Sequence, residues 1–155
     1  MHSDHLKNIF DPIERDKQLE KIRPQLVVAD GVYPFDGFLG TGVSGHMASI
    51  LSFSCDKGLA ILRSGRDPSH SSLNLEYSLG VQKVVIVDDL VNTGETLRRL
   101  MKKACCNGLD VVGIVLYNEN YGRGTTDLST WAYMGRDFGH DIGFLIDSEG
   151  KLFLK

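Results

Sequence analysis

The fold is decided by one stretch, Val84-Val85-Ile86-Val87-Asp88-Asp89-Leu90-Val91-Asn92-Thr93-Gly94-Glu95-Thr96. Its first four residues are apolar and predict a buried strand, and a helix-like run follows from Glu95 to about Cys106. A helix that begins after a polar loop turns unpaired N–H groups and the positive end of its dipole towards that loop. Thr93 and Thr96 add hydroxyl donors, and Gly94 lets the backbone approach a ligand closely. The stretch therefore predicts an anion site.

Two adjacent carboxylates, Asp88 and Asp89, stand where the predicted strand ends. They cannot bind the same anion, but their oxygens suit sugar hydroxyls or a Mg2+ ion. A ligand with a phosphate at one end and hydroxyls or a metal at the other, such as ribose 5-phosphate, meets both demands. The plainer interpretation is an ordinary strand end with a solvated acidic pair and a threonine N-cap. Because strand-end carboxylates that face solvent add little stability, replacing both is expected to leave the fold intact.

The rest of the chain alternates strand-like with helix-like segments, which predicts an α/β fold with a mainly parallel sheet flanked by helices. The predicted helices run from Pro12 to about Arg23, Gly45 to about Ser54 and Glu95 to about Cys106. The predicted strands are Asp36 to Gly40, Leu59 to Arg63, Lys83 to Asp88, Asp110 to Tyr117, Ile142 to Ile146 and Leu152 to Leu154. The last two predict a small C-terminal β-hairpin, while Ser64 to Ser78 and Asn118 to Ser129 are predicted loops.

The composition fits a single domain, residues 1–155, with 42% hydrophobic and 24% charged residues. A net charge of −3 argues against a nucleic-acid surface, no apolar run reaches the length of a membrane span, and the first ten residues lack the apolar core of a signal peptide. The three cysteines form no Cys-x-x-Cys motif, so reduced thiols, buried or partly buried, are expected in a cytoplasmic protein. His2, His5 and His140 have no ligand spacing and are expected at the surface.

The stretch from Val84 to Thr96 resembles the phosphoribosyl pyrophosphate (PRPP) signature of the type I phosphoribosyltransferases, since strand, acidic pair and Thr-Gly-x-Thr loop occur in the expected order. The resemblance covers a core of about residues 35–120 and implies that the N- and C-terminal parts form a hood over the base. It implies displacement of pyrophosphate from C1 of PRPP by a nucleobase nitrogen, assisted by Mg2+. PRPP and a nucleobase are the implied partners, and a homodimer stays open.

The resemblance assigns residues to the parts of PRPP. The 5'-phosphate is implied to lie on Asn92, Thr93, Gly94, Glu95 and Thr96. The ribose hydroxyls are implied to meet Asp88 and Asp89, directly or through water or Mg2+. These two carboxylates, with Asn92 and Arg63, form the implied catalytic set.

A second glycine-rich loop, Gly40-Thr41-Gly42-Val43-Ser44-Gly45, lies between a predicted strand and helix and can cradle an anion. Taken alone, such a loop is more often just a tight turn. In the resemblance it matches the pyrophosphate loop, which assigns Thr41, Gly42, Val43, Ser44 and also Arg63 to pyrophosphate. The polar loop that follows Arg63 closes over the site in the family and is expected to be mobile. Its Arg66 and His70 either neutralise the leaving pyrophosphate or are simply solvated.

The acceptor base stays open. Many 6-oxopurine enzymes of the family carry Asp at the position of Asn92, and an amide cannot take a proton as a carboxylate does. The Thr-Gly-x-Thr loop slightly favours a purine. The segment Tyr117 to Gly122 is placed to line the base pocket, and three aromatics either stack on a base or pack in the core: Trp131, Tyr133 and Phe138. The alternative function is a non-catalytic PRPP- or nucleotide-binding regulator of the same fold.

Overall fold

The computed structural model describes residues 11–62, 75–89, 94–117 and 127–155. These parts of the chain contain four α-helices, α1 (Pro12–Val32), α2 (Val43–Cys55), α3 (Glu95–Cys106) and α4 (Leu128–Arg136). They also contain seven strands, β1 (Gly37–Thr41), β2 (Gly58–Leu62), β3 (Leu75–Tyr77), β4 (Lys83–Asp88), β5 (Asp110–Leu116), β6 (Phe144–Ile146) and β7 (Leu152–Leu154).

The strands form one sheet in the order β3-β2-β1-β4-β5-β6-β7. The five central strands pair in parallel, and an antiparallel strand closes each edge. The predicted α/β fold with a mainly parallel sheet and a C-terminal hairpin is confirmed. After β2 the chain returns to pair β4 with the other side of β1, so the direction of strand order switches between β1 and β4. Ligands of such sheets bind at the carboxyl ends of the strands beside a switch of this kind.

Two hydrophobic layers fix β4 at the centre of the molecule. Val85 and Val87 pack with residues of α1 and α2, whereas Val84 and Ile86 pack with residues of α3 and α4. Because successive side chains of a strand point to opposite faces, a continuous apolar run is buried on both sides. The position of β4 in turn fixes the place of its last residue, Asp88.

Helix α1 is longer than the sequence suggested, since it continues through Pro24 to Val32 instead of ending near Arg23. A proline inside a helix removes one backbone hydrogen bond and crowds the preceding turn. The buried residues of α1 nevertheless keep helical spacing across Pro24 and face the core without interruption, at Leu19, Ile22, Leu26 and Ala29. Packing of this stripe outweighs the local cost of the proline.

Two predicted loops contain regular structure. Leu75–Tyr77, at the end of the loop predicted from Ser64 to Ser78, forms edge strand β3 antiparallel to β2. Helix α4 begins at Leu128, within the loop predicted from Asn118 to Ser129, and the Asp127 carboxylate accepts a hydrogen bond from Ser129 N–H at its start. Residues 64–74 and 118–126 of these two predicted loops lie outside the described parts of the chain.

The expectation that His140 lies at the surface is wrong, because only 3% of the residue is exposed. Val111 N–H donates to Nδ1 of the ring at 3.1 Å, and Nε2 lies 2.7 Å from the carbonyl oxygen of Met101. This pattern assigns the proton of the neutral ring to Nε2. His140 thus joins α3 to the first residues of β5, a role that only tertiary contacts determine.

Replacing His140 with leucine is expected to destabilise the fold by about 1–3 kcal/mol, because the Val111 N–H loses its acceptor in a buried place. Urea denaturation of the two proteins measures the difference in the free energy of unfolding. A loss well under ~1 kcal/mol would contradict the role of this ring.

The cysteines depart in part from expectation. Cys105 and Cys106 are exposed, because the face of α3 that packs on the sheet is formed by other residues, Leu97, Leu100, Met101 and Ala104. Cys55 is partly buried, as expected, and burial raises the pKa of its thiol. All three thiols are free.

None of the helices in the described ranges combines the length and the apolar character needed to cross a membrane.

Candidate functional site

The candidate site lies at the carboxyl edge of the sheet, where β1, β4 and β5 end. Thr41 is the last residue of β1 and Asp88 the last of β4, its neighbour in the sheet. Tyr117 follows β5 directly. The N-termini of α2 and α3 follow β1 and β4, so both helices begin at this edge. The sheet therefore brings the predicted acidic pair next to the predicted pyrophosphate loop.

The two carboxylates of the acidic pair differ in environment. Asp88 is 3% exposed, and its Oδ1 accepts the N–H of Asp89 at 2.9 Å and the hydroxyl of Ser44 at 3.4 Å. Asp89 is partly exposed. The premise that both carboxylates face solvent is wrong for Asp88. Asp89 is the member of the pair that a ligand in solution reaches first.

The loop between β1 and α2 is shaped by its glycines. Gly42 is the N-cap of α2 with φ 58° and ψ −126°, a backbone conformation that favours glycine. No side chain caps this helix start, so its first N–H groups face the loop. Thr41 Oγ1 donates to the carbonyl oxygen of Leu62 at 2.7 Å, and Ser44 Oγ donates to Asp88. Both hydroxyls thus hold the loop to the protein, and backbone N–H groups remain as the donors suited to an anion.

Helix α3 begins in a similar way. Its N-cap, Gly94, has φ 78° and no side-chain cap is present. A Cβ built on Gly94 would lie 3.0 Å from Cζ3 of Trp131, so this residue also allows α4 to pack closely. Glu95 is exposed and Thr96 partly exposed. By contrast, α1 and α4 are capped by aspartate side chains. Among the described helices, only the two at the candidate site start on an uncapped glycine.

Tyr117 directly follows β5 and contacts helices α1 and α2. Its side chain is buried, and its hydroxyl oxygen is 3.4 Å from Ser44 Oγ. Gln18 of α1 donates through Nε2 to the Tyr117 carbonyl oxygen at 2.7 Å. Burial, reinforced by the Asp89 charge, raises the pKa of Tyr117 far above its usual range. The phenol is therefore neutral at every working pH and acts only as a hydroxyl.

Several predicted site residues lie outside the described parts of the chain: Arg63, Arg66, His70, Asn92, Thr93 and residues 118–122 of the expected base pocket. Of the three candidate stacking aromatics, Trp131 belongs to the core and Phe138 packs against it, which favours packing for both. Tyr133 is 70% exposed. The sequence did not suggest that Tyr117 would contact Ser44, because that tertiary contact joins the residue after β5 to the first turn of α2.

The donor set at this edge fits Mg2+ in one particular way. The described residues contain no group of three or more His, Cys, Asp or Glu side chains able to hold a metal. Mg2+ is commonly held by one or two carboxylates together with waters and the phosphates of a substrate. Asp88 and Asp89 supply the first part of that set, so a Mg2+ ion here would be shared with a phosphate-bearing ligand.

Comparison with known proteins identifies the fold. No family model and no curated protein matches the sequence. Orotate phosphoribosyltransferase from Aeropyrum pernix is similar in structure, with a TM-score of 0.64 and 20% identity over 89% of this chain and 72% of that one. Adenine phosphoribosyltransferase from Saccharomyces cerevisiae, solved with an imino-altritol bisphosphate and adenine, has a TM-score of 0.60 and 16% identity over 89% and 80% of the chains.

A third similar structure is phosphoribosylpyrophosphate synthetase from Mycobacterium smegmatis, with a TM-score of 0.54 and 14% identity over 82% of this chain and 39% of that one. At such low identities the comparisons establish architecture. The chain has the type I phosphoribosyltransferase fold.

Proposed function

We propose that this protein is a Mg2+-dependent phosphoribosyltransferase that transfers ribose 5-phosphate from PRPP to a nucleobase and releases pyrophosphate. One observation carries the proposal: two helices that start on uncapped glycines begin at the carboxyl edge of the sheet, next to an acidic pair of which Asp88 is buried and Asp89 partly exposed. PRPP has the matching order of groups, with a phosphate at one end, ribose hydroxyls between and a pyrophosphate at the other end.

Each part of the edge has a distinct role in this proposal. The first turn of α3, from Gly94 to Thr96, binds the 5'-phosphate through N–H groups and the helix dipole. The first turn of α2, from Gly42 to Ser44, binds pyrophosphate in the same way. The acidic pair orients the ribose between them. Arg63 and Asn92 stay predictions for the neutralisation of pyrophosphate and for the base side.

The reaction needs positioning and charge neutralisation more than a protein nucleophile. A ring nitrogen of the base attacks C1 of the ribose, the bond from C1 to the pyrophosphate oxygen breaks, and its electron pair leaves with pyrophosphate. The proton of the attacking ring nitrogen passes to water or to the leaving pyrophosphate. Donors already aimed at the leaving group stabilise its developing charge without reorganisation. Bound Mg2+ would supply further neutralisation of the pyrophosphate charge. The three free thiols suit a reducing compartment, and we propose the cytoplasm.

Pyrophosphate release from PRPP tests the proposal across a panel of bases: orotate, hypoxanthine, guanine, xanthine, adenine and uracil. With Mg2+ present, we expect release above the base-free rate for at least one base, with a purine slightly favoured. Release with orotate alone would support the transferase activity and indicate that the acceptor is a pyrimidine. Tight PRPP binding without release for any base would contradict catalysis and favour the regulator.

A further inference from the structure

A buried chain of hydroxyl and carboxylate groups joins the two halves of the candidate site. Tyr117 OH lies 3.4 Å from Ser44 Oγ, and Ser44 Oγ donates to Asp88 Oδ1 at 3.4 Å. All three residues are buried. This series of hydrogen-bonded side chains links the end of β5, the first turn of α2 and the end of β4, which are far apart in sequence. These side chains thus connect the pyrophosphate side of the candidate site directly to its ribose side.

The donors and acceptors of these three side chains give the hydrogen bonds a direction. Ser44 has one hydroxyl proton, and when Asp88 accepts it, the Ser44 oxygen is left to accept the proton of Tyr117. The phenol stays neutral, so its proton is always present for this bond. Both bonds are 3.4 Å long, and hydrogen bonds at catalytic sites often shorten when the ligand binds. A movement of the first turn of α2 would therefore move the Asp88 carboxylate.

We infer that Tyr117 and Ser44 are positioning residues that couple the pyrophosphate loop to the acidic pair, so that the two halves of PRPP bind cooperatively. The inference rests on the proposed function. Pyrophosphate on the first turn of α2 holds Ser44 in place, Ser44 orients Asp88, and Asp88 in turn holds the N–H of Asp89 at 2.9 Å. A ligand that fills only one half makes no use of this link.

The test compares three ligands in the presence of Mg2+, namely PRPP, ribose 5-phosphate and pyrophosphate, by isothermal titration calorimetry. Tyr117→Phe removes one hydroxyl and keeps the ring. We expect this variant to bind PRPP roughly fivefold or more weakly, the lower end of typical coupling between sites. Binding of each fragment alone should change by less than about twofold, because neither fragment engages both halves.

Matched variants separate coupling from general damage. Ser44→Ala should reproduce the loss of PRPP affinity, whereas Ser44→Thr keeps a hydroxyl and should retain much of the affinity. The double variant Ser44→Ala with Tyr117→Phe should bind PRPP no more weakly than Ser44→Ala alone. Tyr33→Phe is the control, since the Tyr33 hydroxyl donates to the Lys155 carbonyl oxygen beside the amino end of β6. This control should bind all three ligands normally.

Two results would overturn the inference. If Tyr117→Phe and Ser44→Ala bind PRPP as tightly as the wild type, the coupling is absent, and the proposed function is unaffected. An equal loss of affinity for all three ligands would lead to the same conclusion. Absence of PRPP binding in the unmodified protein would instead overturn the proposed function and the coupling with it.

Discussion

Replacing Gly40 with alanine is expected to lower kcat/KM for PRPP by roughly 100-fold, the scale of a 1 Å misplacement in an active site. A Cβ at this position would lie 2.5 Å from the Ser44 carbonyl oxygen and 2.9 Å from the Gly45 nitrogen. Both are backbone atoms, so the first turn of α2 must move away from β1. That movement displaces the N–H groups proposed for pyrophosphate and the Ser44 hydroxyl bonded to Asp88.

Gly31→Ala is the matched control for this substitution. Gly31 lies in α1, and nothing lies within 4 Å of a Cβ built there. Alanine should favour the helix slightly and leave PRPP turnover unchanged. Steady-state kinetics of both variants, with thermal melts to verify folding, decide the matter. Wild-type kinetics in Gly40→Ala would show that the α2 turn has no part in binding pyrophosphate.

Replacing Asp89 with asparagine is expected to weaken PRPP binding about ten- to a hundredfold in the presence of Mg2+, the value of a hydrogen bond to a charged group. The direction of this change in PRPP affinity is informative. PRPP is an anion, so simple electrostatics predicts tighter binding when a negative charge is removed. Weaker binding therefore requires that the carboxylate contact ribose hydroxyls or a ligand-bound Mg2+ ion.

Asp110→Asn makes the same change of charge at the opposite, amino edge of the sheet, on the exposed first residue of β5. It should leave the affinity for PRPP unchanged or slightly tighter. Removal of Mg2+ should shrink the difference between wild type and Asp89→Asn if the contact runs through the metal. Equal affinity of the two proteins for PRPP with Mg2+ present would contradict the assignment of Asp89.

The parts of the fold that could be predicted are those where local pattern and tertiary burial agree. The stretch from Val84 to Val87 is apolar because both of its faces are covered, and the same burial makes it visible in the sequence. The carboxylates that follow must then fall at the edge of the sheet. Helix α3 has a clear apolar stripe, so its extent was predicted correctly, from Glu95 to Cys106.

The rest depends on contacts that a single sequence does not contain. Pro24 masked the second half of α1, although the spacing of Leu26 and Ala29 carried a signal that the helix continues. Helix α4 had a readable start in Asp127 and an apolar repeat that includes Trp131. No local pattern distinguishes a buried His140 from an exposed one, because its partners come from α3 and β5. The burial of Asp88 likewise depends on tertiary contacts, among them the Ser44 hydroxyl at the start of α2.

The position of a bound sugar phosphate tests the central claim most directly. In a crystal structure of the protein with ribose 5-phosphate and Mg2+, the phosphate should accept hydrogen bonds from the N–H groups at the start of α3, between Gly94 and Thr96. The ribose hydroxyls should lie at Asp88 and Asp89, directly or through the metal or water. A phosphate bound elsewhere, with the acidic pair and the start of α3 making no contact to the ligand, would contradict the account.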